Sequence, residues 1–290
     1  MFEGFSQRRI TTSGTEINLR MKGEGPPLLL IHGFPQSHVM WHRIAGPLAD
    51  RFTVVCADLR GYGDSGKPAG GGDYSAYSKR VMAQDLVEVM AALGFERFFV
   101  AGHDRGGRVA YRMALDHPQV VTRLATLDIV PTHAQWRSLD WRRSMGAYHW
   151  YFLAQPEPVP ERLIGSDPVF YLHHLLPKWS AAGFAFAPEA MAEYERCYSD
   201  PGTIHGSCED YRAGATIDFA IDDADYGKRK IACPMLAIQG DRGRGLDPSF
   251  LETWREWADD VRVLGIASGH FLPEEAPGPT LAALLEFFSA

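Results

Sequence analysis

The chain has 290 residues, of which 46% are hydrophobic and 22% charged, a size and composition for one large globular domain with an insertion or for two domains. Its net charge of −7 argues against a nucleic-acid binder, which usually carries a basic face, and no apolar run is long enough for a membrane span. The N-terminal segment lacks the apolar core of a secretory signal and the four cysteines form no CxxC pair, so we expect a cytoplasmic protein without disulfides or a bound metal.

The predicted elements begin with an antiparallel hairpin over residues 8–23. Six short apolar runs bounded by Gly or Pro follow, a pattern typical of strands buried on both faces of a parallel sheet. These runs are Pro27–Gly33, Thr53–Leu59, Arg97–His103, Leu124–Val130, Pro234–Gly240 and Val261–Ala267. Helical patterns are found at Ala76–Leu93, Gly106–Asp116, Pro248–Trp257 and Thr280–Phe288. The alternation of strands and helices predicts an α/β fold.

This alternation stops between about residues 131 and 228. The segment has no sheet-like run and is rich in aromatic residues and proline, so we expect a helical insertion between two strands. Because ligands of α/β sheets bind beyond the carboxyl ends of the strands, an insertion that starts there would cover the pocket. The predicted domains are therefore a core of residues 1–130 and 229–290 and a helical cap of residues 131–228.

The sharp turn Gly102-His103-Asp104-Arg105-Gly106 has the form of a nucleophile elbow with aspartate at its centre. Asp104 alone could be a simple helix N-cap. Two further landmarks favour a catalytic role: the His32-Gly33-Phe34-Pro35 loop after an earlier strand and His270 after the last one. The backbone N–H groups of Phe34 and Arg105 are the candidate oxyanion donors. The chain order of these features is that of the α/β-hydrolases.

The acid that orients His270 has three candidates. In many α/β-hydrolases it follows a later strand, at a position where this chain has Gly243. Asp241 and Asp247 lie near that position. Asp128 ends the apolar run Leu124–Asp128, where a lone carboxylate is costly unless it is paired, and we favour it.

An aspartate nucleophile indicates a particular chemistry. A carboxylate is already ionised at pH 7 and can displace a leaving group from a saturated carbon, which forms an ester with the protein. His270 would then activate a water that cleaves the ester. Such a sequence of steps suits an alkyl halide or an epoxide.

Several stretches resemble the haloacetate dehalogenases, a family of α/β-hydrolases that includes fluoroacetate dehalogenases; among them are "HGFPQSHVMW", "GHDRGGRVAYRMALDHP", "YHWYFLAQPEP" and "SGHFLPEEAP". The resemblance implies an α/β-hydrolase fold, with a mostly parallel sheet flanked by helices and a helical cap after the sixth strand. It also implies hydrolysis of a small haloacid such as fluoroacetate or chloroacetate to glycolate and halide, without a cofactor, by a homodimer.

The resemblance also implies roles for individual residues. Asp104 would be the nucleophile, His270 the base and Asp128 its orienting acid. Arg105 and Arg108 would bind the substrate carboxylate, and His149, Trp150 and Tyr211 would donate hydrogen bonds to the halide. The positions of Arg105 and Arg108, three apart on one helix face beside the nucleophile, suit an arginine fork for a carboxylate. We expect Arg112 to point to solvent and His103 to be structural.

Two other functions compete with this interpretation. An epoxide hydrolase would use the same aspartate and histidine, with Tyr148 and Tyr211 as acids, but an uncharged epoxide does not need Arg105 and Arg108. A ligand sensor on a hydrolase scaffold would bind without turnover, but such proteins often lack a catalytic residue and here the set is complete.

Overall fold

An eight-stranded sheet forms the centre of the computed structural model, which describes residues 1–290. Its strands are Ser6–Thr11 (β1), Glu16–Lys22 (β2), Pro27–Ile31 (β3), Thr53–Ala57 (β4), Phe98–His103 (β5), Val121–Leu127 (β6), Met235–Gly240 (β7) and Val261–Ile266 (β8). They lie side by side in the order β1-β2-β4-β3-β5-β6-β7-β8. The pairs β1–β2 and β2–β4 are antiparallel and all other neighbours are parallel, so the predicted mostly parallel sheet is confirmed.

Fourteen α-helices accompany the sheet, and none of them is both long and apolar enough to cross a lipid bilayer. They are Ala45–Ala49 (α1), Lys79–Ala92 (α2), Asp104–Asp116 (α3), Thr132–Arg137 (α4), Trp141–Gly146 (α5), Tyr148–Leu153 (α6), Val159–Gly165 (α7), Pro168–Trp179 (α8), Pro188–Tyr198 (α9), Pro201–Ala215 (α10), Ile217–Asp225 (α11), Pro248–Arg255 (α12), Leu272–Glu275 (α13) and Pro277–Ser289 (α14).

The central strands are buried on both faces, because their alternate side chains enter two separate apolar clusters. In β3, Leu29 and Ile31 pack into one cluster together with side chains of α2 and α3. Leu28 and Leu30 pack into the other, together with side chains of α1 and α14. Helices therefore cover both faces, as the continuous apolar runs of these strands predict.

The segment between β6 and β7 contains no strand, and its regular elements are the eight helices α4 to α11. The predicted helical insertion after the sixth strand is thus confirmed, while its division from the core at residues 131 and 228 stays a prediction. Helix α10 lies at the centre of the insertion, where it packs against α6, α7, α9 and α11. Asp210 on α10 contacts Arg105 at the start of α3, so the insertion meets the sheet at the carboxyl ends of its strands.

Candidate active site

Asp104 lies in a tight strand-to-helix turn: β5 ends at His103, and α3 begins at the next residue, Asp104. Its backbone is left-handed, with φ of 47°, a conformation that costs a non-glycine residue on the order of 1–3 kcal/mol. The turn needs its glycines: a Cβ on Gly102 would collide with the backbone of Gly106, and one on Gly106 with the backbone of His32. This packing holds the Asp104 carboxylate beyond the end of the sheet.

The surroundings of Asp104 favour its ionised form. The backbone N–H of Phe34 donates a hydrogen bond of 2.9 Å to Oδ1. Burial works to raise the pKa of Asp104, but the positive charges of His270, Arg105 and Arg108 together hold it below its usual value. The side chain also lies at the N-terminus of α3, where backbone N–H groups without helical partners, that of Arg105 among them, favour negative charge.

His270 lies between two carboxylates. Its Nδ1 is 2.6 Å from Oδ2 of Asp128, and its Nε2 is 3.8 Å from Oδ2 of Asp104. The other oxygen of Asp128 accepts a 2.9 Å hydrogen bond from the backbone N–H of Gly240. Burial alone would lower the pKa of His270, but the hydrogen bond and charge of Asp128, with the charge of Asp104, raise it. This arrangement fixes Nδ1 as a donor and turns Nε2 towards Asp104.

The two other candidate acids have local roles. Asp241 accepts a 2.7 Å hydrogen bond from the N–H of Gly243, and Asp247 caps α12 through a 2.9 Å bond from the N–H of Ser249. Neither carboxylate contacts His270. Asp128, which follows β6 with a left-handed φ of 53°, is the one that the structure brings to the histidine.

His103 supports the loop that carries His270. It is fully buried, and its Nε2 lies 2.8 Å from the carbonyl oxygen of His270. Burial, reinforced by the charge of His270, lowers the pKa of His103 to about 4. The ring is therefore neutral at pH 7, and its Nε2–H donates to that carbonyl.

The three arginines of α3 have different environments. Arg105 is fully buried and pairs with Asp210, while Arg108 donates a 2.7 Å hydrogen bond to the carbonyl of Val130 and has no carboxylate partner. The expectation for Arg112 is wrong. It is 2% exposed and forms ion pairs of 2.7 and 2.8 Å with Asp116 and Asp225, because α11 covers the part of α3 that was expected to face solvent.

The predicted halide donors lie together. His149 and Trp150 come from α6 and Tyr211 from α10, and the Tyr211 ring centre is 5.7 Å from that of His149 and 5.5 Å from that of Trp150. Burial lowers the pKa of His149 to about 3, so its ring is neutral at pH 7. Burial, together with the charge of Asp104, raises the pKa of Tyr211, whose hydroxyl keeps its proton.

The site contains a cavity of about 370 Å³. Among the residues that line it are Asp104, Arg108, Asp128, His149, Trp150 and His270. Arg105 and Tyr211 are buried directly behind this lining: the Arg105 guanidinium lies 5.2 Å from the Trp150 ring centre. Tyr148 is not part of it and lines a separate cavity with side chains of α7 and α8.

Two residues of the site were missed from the sequence. Trp179, at the end of α8, lines the cavity, and its carbonyl accepts a 3.0 Å hydrogen bond from the N–H of His270. Nothing in its local pattern indicates this place. For Asp210 the available signal is the group of acids Asp210, Asp218 and Asp222, spaced by eight and by four residues, whose charge is opposite to that of the arginines of α3.

Comparisons with known proteins identify the fold family of this chain. A family model described as the α/β-hydrolase fold matches residues 26–277. A fluoroacetate dehalogenase of Burkholderia sp. is 48% identical over 100% of this chain and 95% of its own length. A soluble epoxide hydrolase of Corynebacterium sp. strain C12 is 34% identical over 96% of this chain and 95% of its own. A crystal structure described as an α/β hydrolase of Nostoc sp. PCC 7120 has a TM-score of 0.96 and 53% identity, covering 100% of this chain and 99% of that one.

Proposed function

Because this chain belongs to the α/β-hydrolase family, we propose that it hydrolyses the carbon–halogen bond of haloacetates such as fluoroacetate and chloroacetate. One observation carries the proposal: an ionised carboxylate, Asp104, shares a small cavity with Arg108, a buried cation that has no carboxylate partner. A substrate with a carboxylate at one end and a leaving group at the other matches this pair. The relative named fluoroacetate dehalogenase supports the same choice.

The first half of the reaction is a displacement. Oδ2 of Asp104 attacks the carbon that bears the halogen, the new C–O bond forms as the carbon–halogen bond breaks, and the halide leaves with the bonding electrons. Arg108, with Arg105 behind it, holds the substrate carboxylate and offsets its repulsion from Asp104. His149, Trp150 and Tyr211 each supply one N–H or O–H donor for the departing halide.

The second half removes the ester. Nε2 of His270 takes a proton from water, and the resulting hydroxide attacks the carboxyl carbon of Asp104. The N–H groups of Phe34 and Arg105 hold the oxygen on which charge develops, and each such donor is typically worth about 3 kcal/mol. The ester bond then breaks as the imidazolium of His270, which Asp128 stabilises, gives its proton to the departing alkoxide oxygen. Glycolate leaves, and the second proton of the water passes from the Asp104 carboxyl to solvent. Water and protein groups suffice, so no cofactor or metal takes part.

The test separates the two halves. His270→Ala incubated with chloroacetate should accumulate a carboxymethyl ester on Asp104, because displacement by an ionised carboxylate needs no base. Peptide mass spectrometry detects this ester and chloride release measures turnover. Asp104→Asn is the matched control and should show neither, provided mass spectrometry excludes its deamidation. An unmodified His270→Ala protein would place His270 in the first step, and normal turnover by Asp104→Asn would end the proposal.

Epoxide hydrolysis is the second candidate, since a relative carries that name. It would use the same nucleophile and base, but it needs acids over the epoxide oxygen. Tyr148, one of the two proposed acids, does not line the cavity. We therefore expect chloroacetate to be turned over and styrene oxide not to be, and the reverse result would favour the epoxide hydrolase. Haloacid binding without turnover of either would indicate the ligand sensor.

We also propose that the chain acts as a cytoplasmic homodimer. All four of its cysteines are free thiols, as suits a reducing compartment. In the insertion, Leu163 and Phe170 are 61% and 68% exposed and line one surface cavity together, and neighbouring exposed apolar side chains are typical of a protein–protein contact.

A further inference from the structure

We propose that Asp210 is a positioning residue of this site: it fixes the guanidinium of Arg105 so that the Nη1 group remains as the donor for the substrate carboxylate. This inference rests on the proposed haloacetate hydrolysis and deepens it. It assigns a role to a residue of α10 that lies more than a hundred positions from Arg105 in the sequence.

Asp210 binds one edge of the Arg105 guanidinium completely. Nε of Arg105 donates to Oδ2 of Asp210 at 3.1 Å, and Nη2 donates to Oδ1 at 2.6 Å and to the Asp210 carbonyl at 2.7 Å. Nη1 is the nitrogen left over: it is buried and has no hydrogen-bond partner in the protein. Since buried N–H groups are almost always paired, Nη1 is suited to a ligand oxygen.

Asp210 is itself held in place. Its side chain is fully buried, accepts a 2.7 Å hydrogen bond from the hydroxyl of Tyr62, and pairs with the ammonium of Lys79. Tyr211 adds a ring face against the Arg105 guanidinium, with 4.2 Å between the ring centre and Cζ. The guanidinium plane is therefore fixed from its edge and from one face before any substrate binds.

The same contacts indicate different roles for Arg105 and Arg108 in binding the substrate carboxylate. Lys79 also pairs with Asp218, at 3.3 Å, so the cations Lys79 and Arg105 are balanced by the anions Asp210 and Asp218. Arg108 donates only to neutral oxygens, those of Val130 and Thr132. Arg108 therefore supplies the unbalanced positive charge that attracts the substrate carboxylate. Arg105, whose charge is already balanced, orients that carboxylate through the hydrogen bond from Nη1.

The experiment compares Asp210→Asn with Asp218→Asn. Both variants remove one buried carboxylate from Lys79, but only Asp210→Asn releases Arg105. For Asp210→Asn we expect KM for chloroacetate to rise about tenfold or more with a much smaller change in kcat, while kcat/KM for the neutral chloroacetamide changes little. Asp218→Asn should leave both substrates near wild type. A change in charge alone would lower KM for the anion, because Asp210→Asn adds net positive charge beside it.

If Asp210→Asn does not fold, a second pair of variants with smaller structural changes tests the same inference. Tyr62→Phe deletes one restraint on Asp210 and should raise KM for chloroacetate about two- to fivefold, whereas Tyr77→Phe, which deletes a buried hydroxyl bound to Pro68, should not. An unchanged or lower KM in the Asp210 or Tyr62 variant, or equal effects in the two members of a pair, would overturn the inference. Absence of chloroacetate turnover in the wild type would instead refute the proposed function, and the inference with it.

Discussion

Arg108 is the residue on which the choice of an anionic substrate depends most directly. Arg108 is 2% exposed and has no carboxylate partner, and its pKa is lowered by burial and by the charge of Arg105. A buried cation in this condition is costly until an anion joins it. The substrate carboxylate is, in the proposed reaction, that anion.

We therefore predict that Arg108→Ala lowers kcat/KM for chloroacetate by about 30-fold to several thousand-fold, the equivalent of about 2–5 kcal/mol for one partner of a desolvated ion pair. Chloroacetamide never makes this ion pair and should lose much less. The measurement is the ratio of kcat/KM for the acid and the amide in wild type and variant. An unchanged ratio would show that Arg108 does not bind the carboxylate.

At the scale of single residues, the sequence predicts the roles of those residues that lie in a recognisable local pattern. Asp104 is recognisable because the elbow is contiguous in the chain, and Asp128 because a carboxylate ends an apolar run. The contacts of Arg112 and Asp210 could not be predicted from the sequence. Helix spacing shows which side chains share a face, but not which distant segment packs against that face. The partners of α3 come from α10 and α11, about a hundred residues away.

Among the elements, the strands and the four helices α2, α3, α12 and α14 are predicted by the sequence, and the limits of the helices depend on caps. The helix expected from Ala76 begins at Lys79, because the side chain of Ser78 caps it by accepting from the N–H of Val81. Helix α12 begins where Asp247 caps it. The eight helices of the insertion were not predicted individually, since four of them are shorter than nine residues and the segment carries no sustained apolar period.

One short helix, α13, joins three parts of the fold through Glu274. Its carboxyl group is fully buried, accepts a 2.8 Å hydrogen bond from Nε2 of Gln36 in the loop after β3, and pairs with the hydroxyl of Tyr194 on α9. Burial raises the pKa of Glu274 from its usual 4.5 to about 8. The folded protein therefore holds this proton over a pH range in which the unfolded chain has lost it.

The expected consequence is a loss of stability as pH rises. Between about pH 4.5 and 8 the folded state binds one more proton at Glu274 than the unfolded state, so the free energy of unfolding falls by up to about 1.4 kcal/mol per pH unit from this group. Glu274→Gln resembles the neutral acid and should flatten the fall in Tm between pH 5 and 8. Glu286→Gln, at a carboxylate that is 78% exposed, should leave the wild-type slope. Parallel slopes for all three proteins would contradict the assignment.

At the scale of the whole molecule, the exposed apolar side chains of the insertion predict where two copies of the chain meet in the proposed homodimer. Leu163 and Phe170 line one cavity on its surface and are 61% and 68% exposed. If they form the contact between two copies, Leu163→Lys with Phe170→Lys should yield monomers in analytical ultracentrifugation at concentrations where the wild type is dimeric. Leu264→Lys, at an exposed apolar position on β8, is the control and should remain dimeric. A monomeric wild type would refute the proposed homodimer.

The place of His270 between Asp104 and Asp128 has a consequence for the timing of the proposed reaction. Before the first step both carboxylates are charged, and both favour a protonated imidazole. Esterification turns Asp104 into a neutral group, so one of these two influences disappears at the moment when a free base is required. The imidazole then gives up its proton more readily, and cleavage regenerates the carboxylate that restores the resting charge. In the proposed reaction, each step thus prepares the protonation state of His270 that the next step uses.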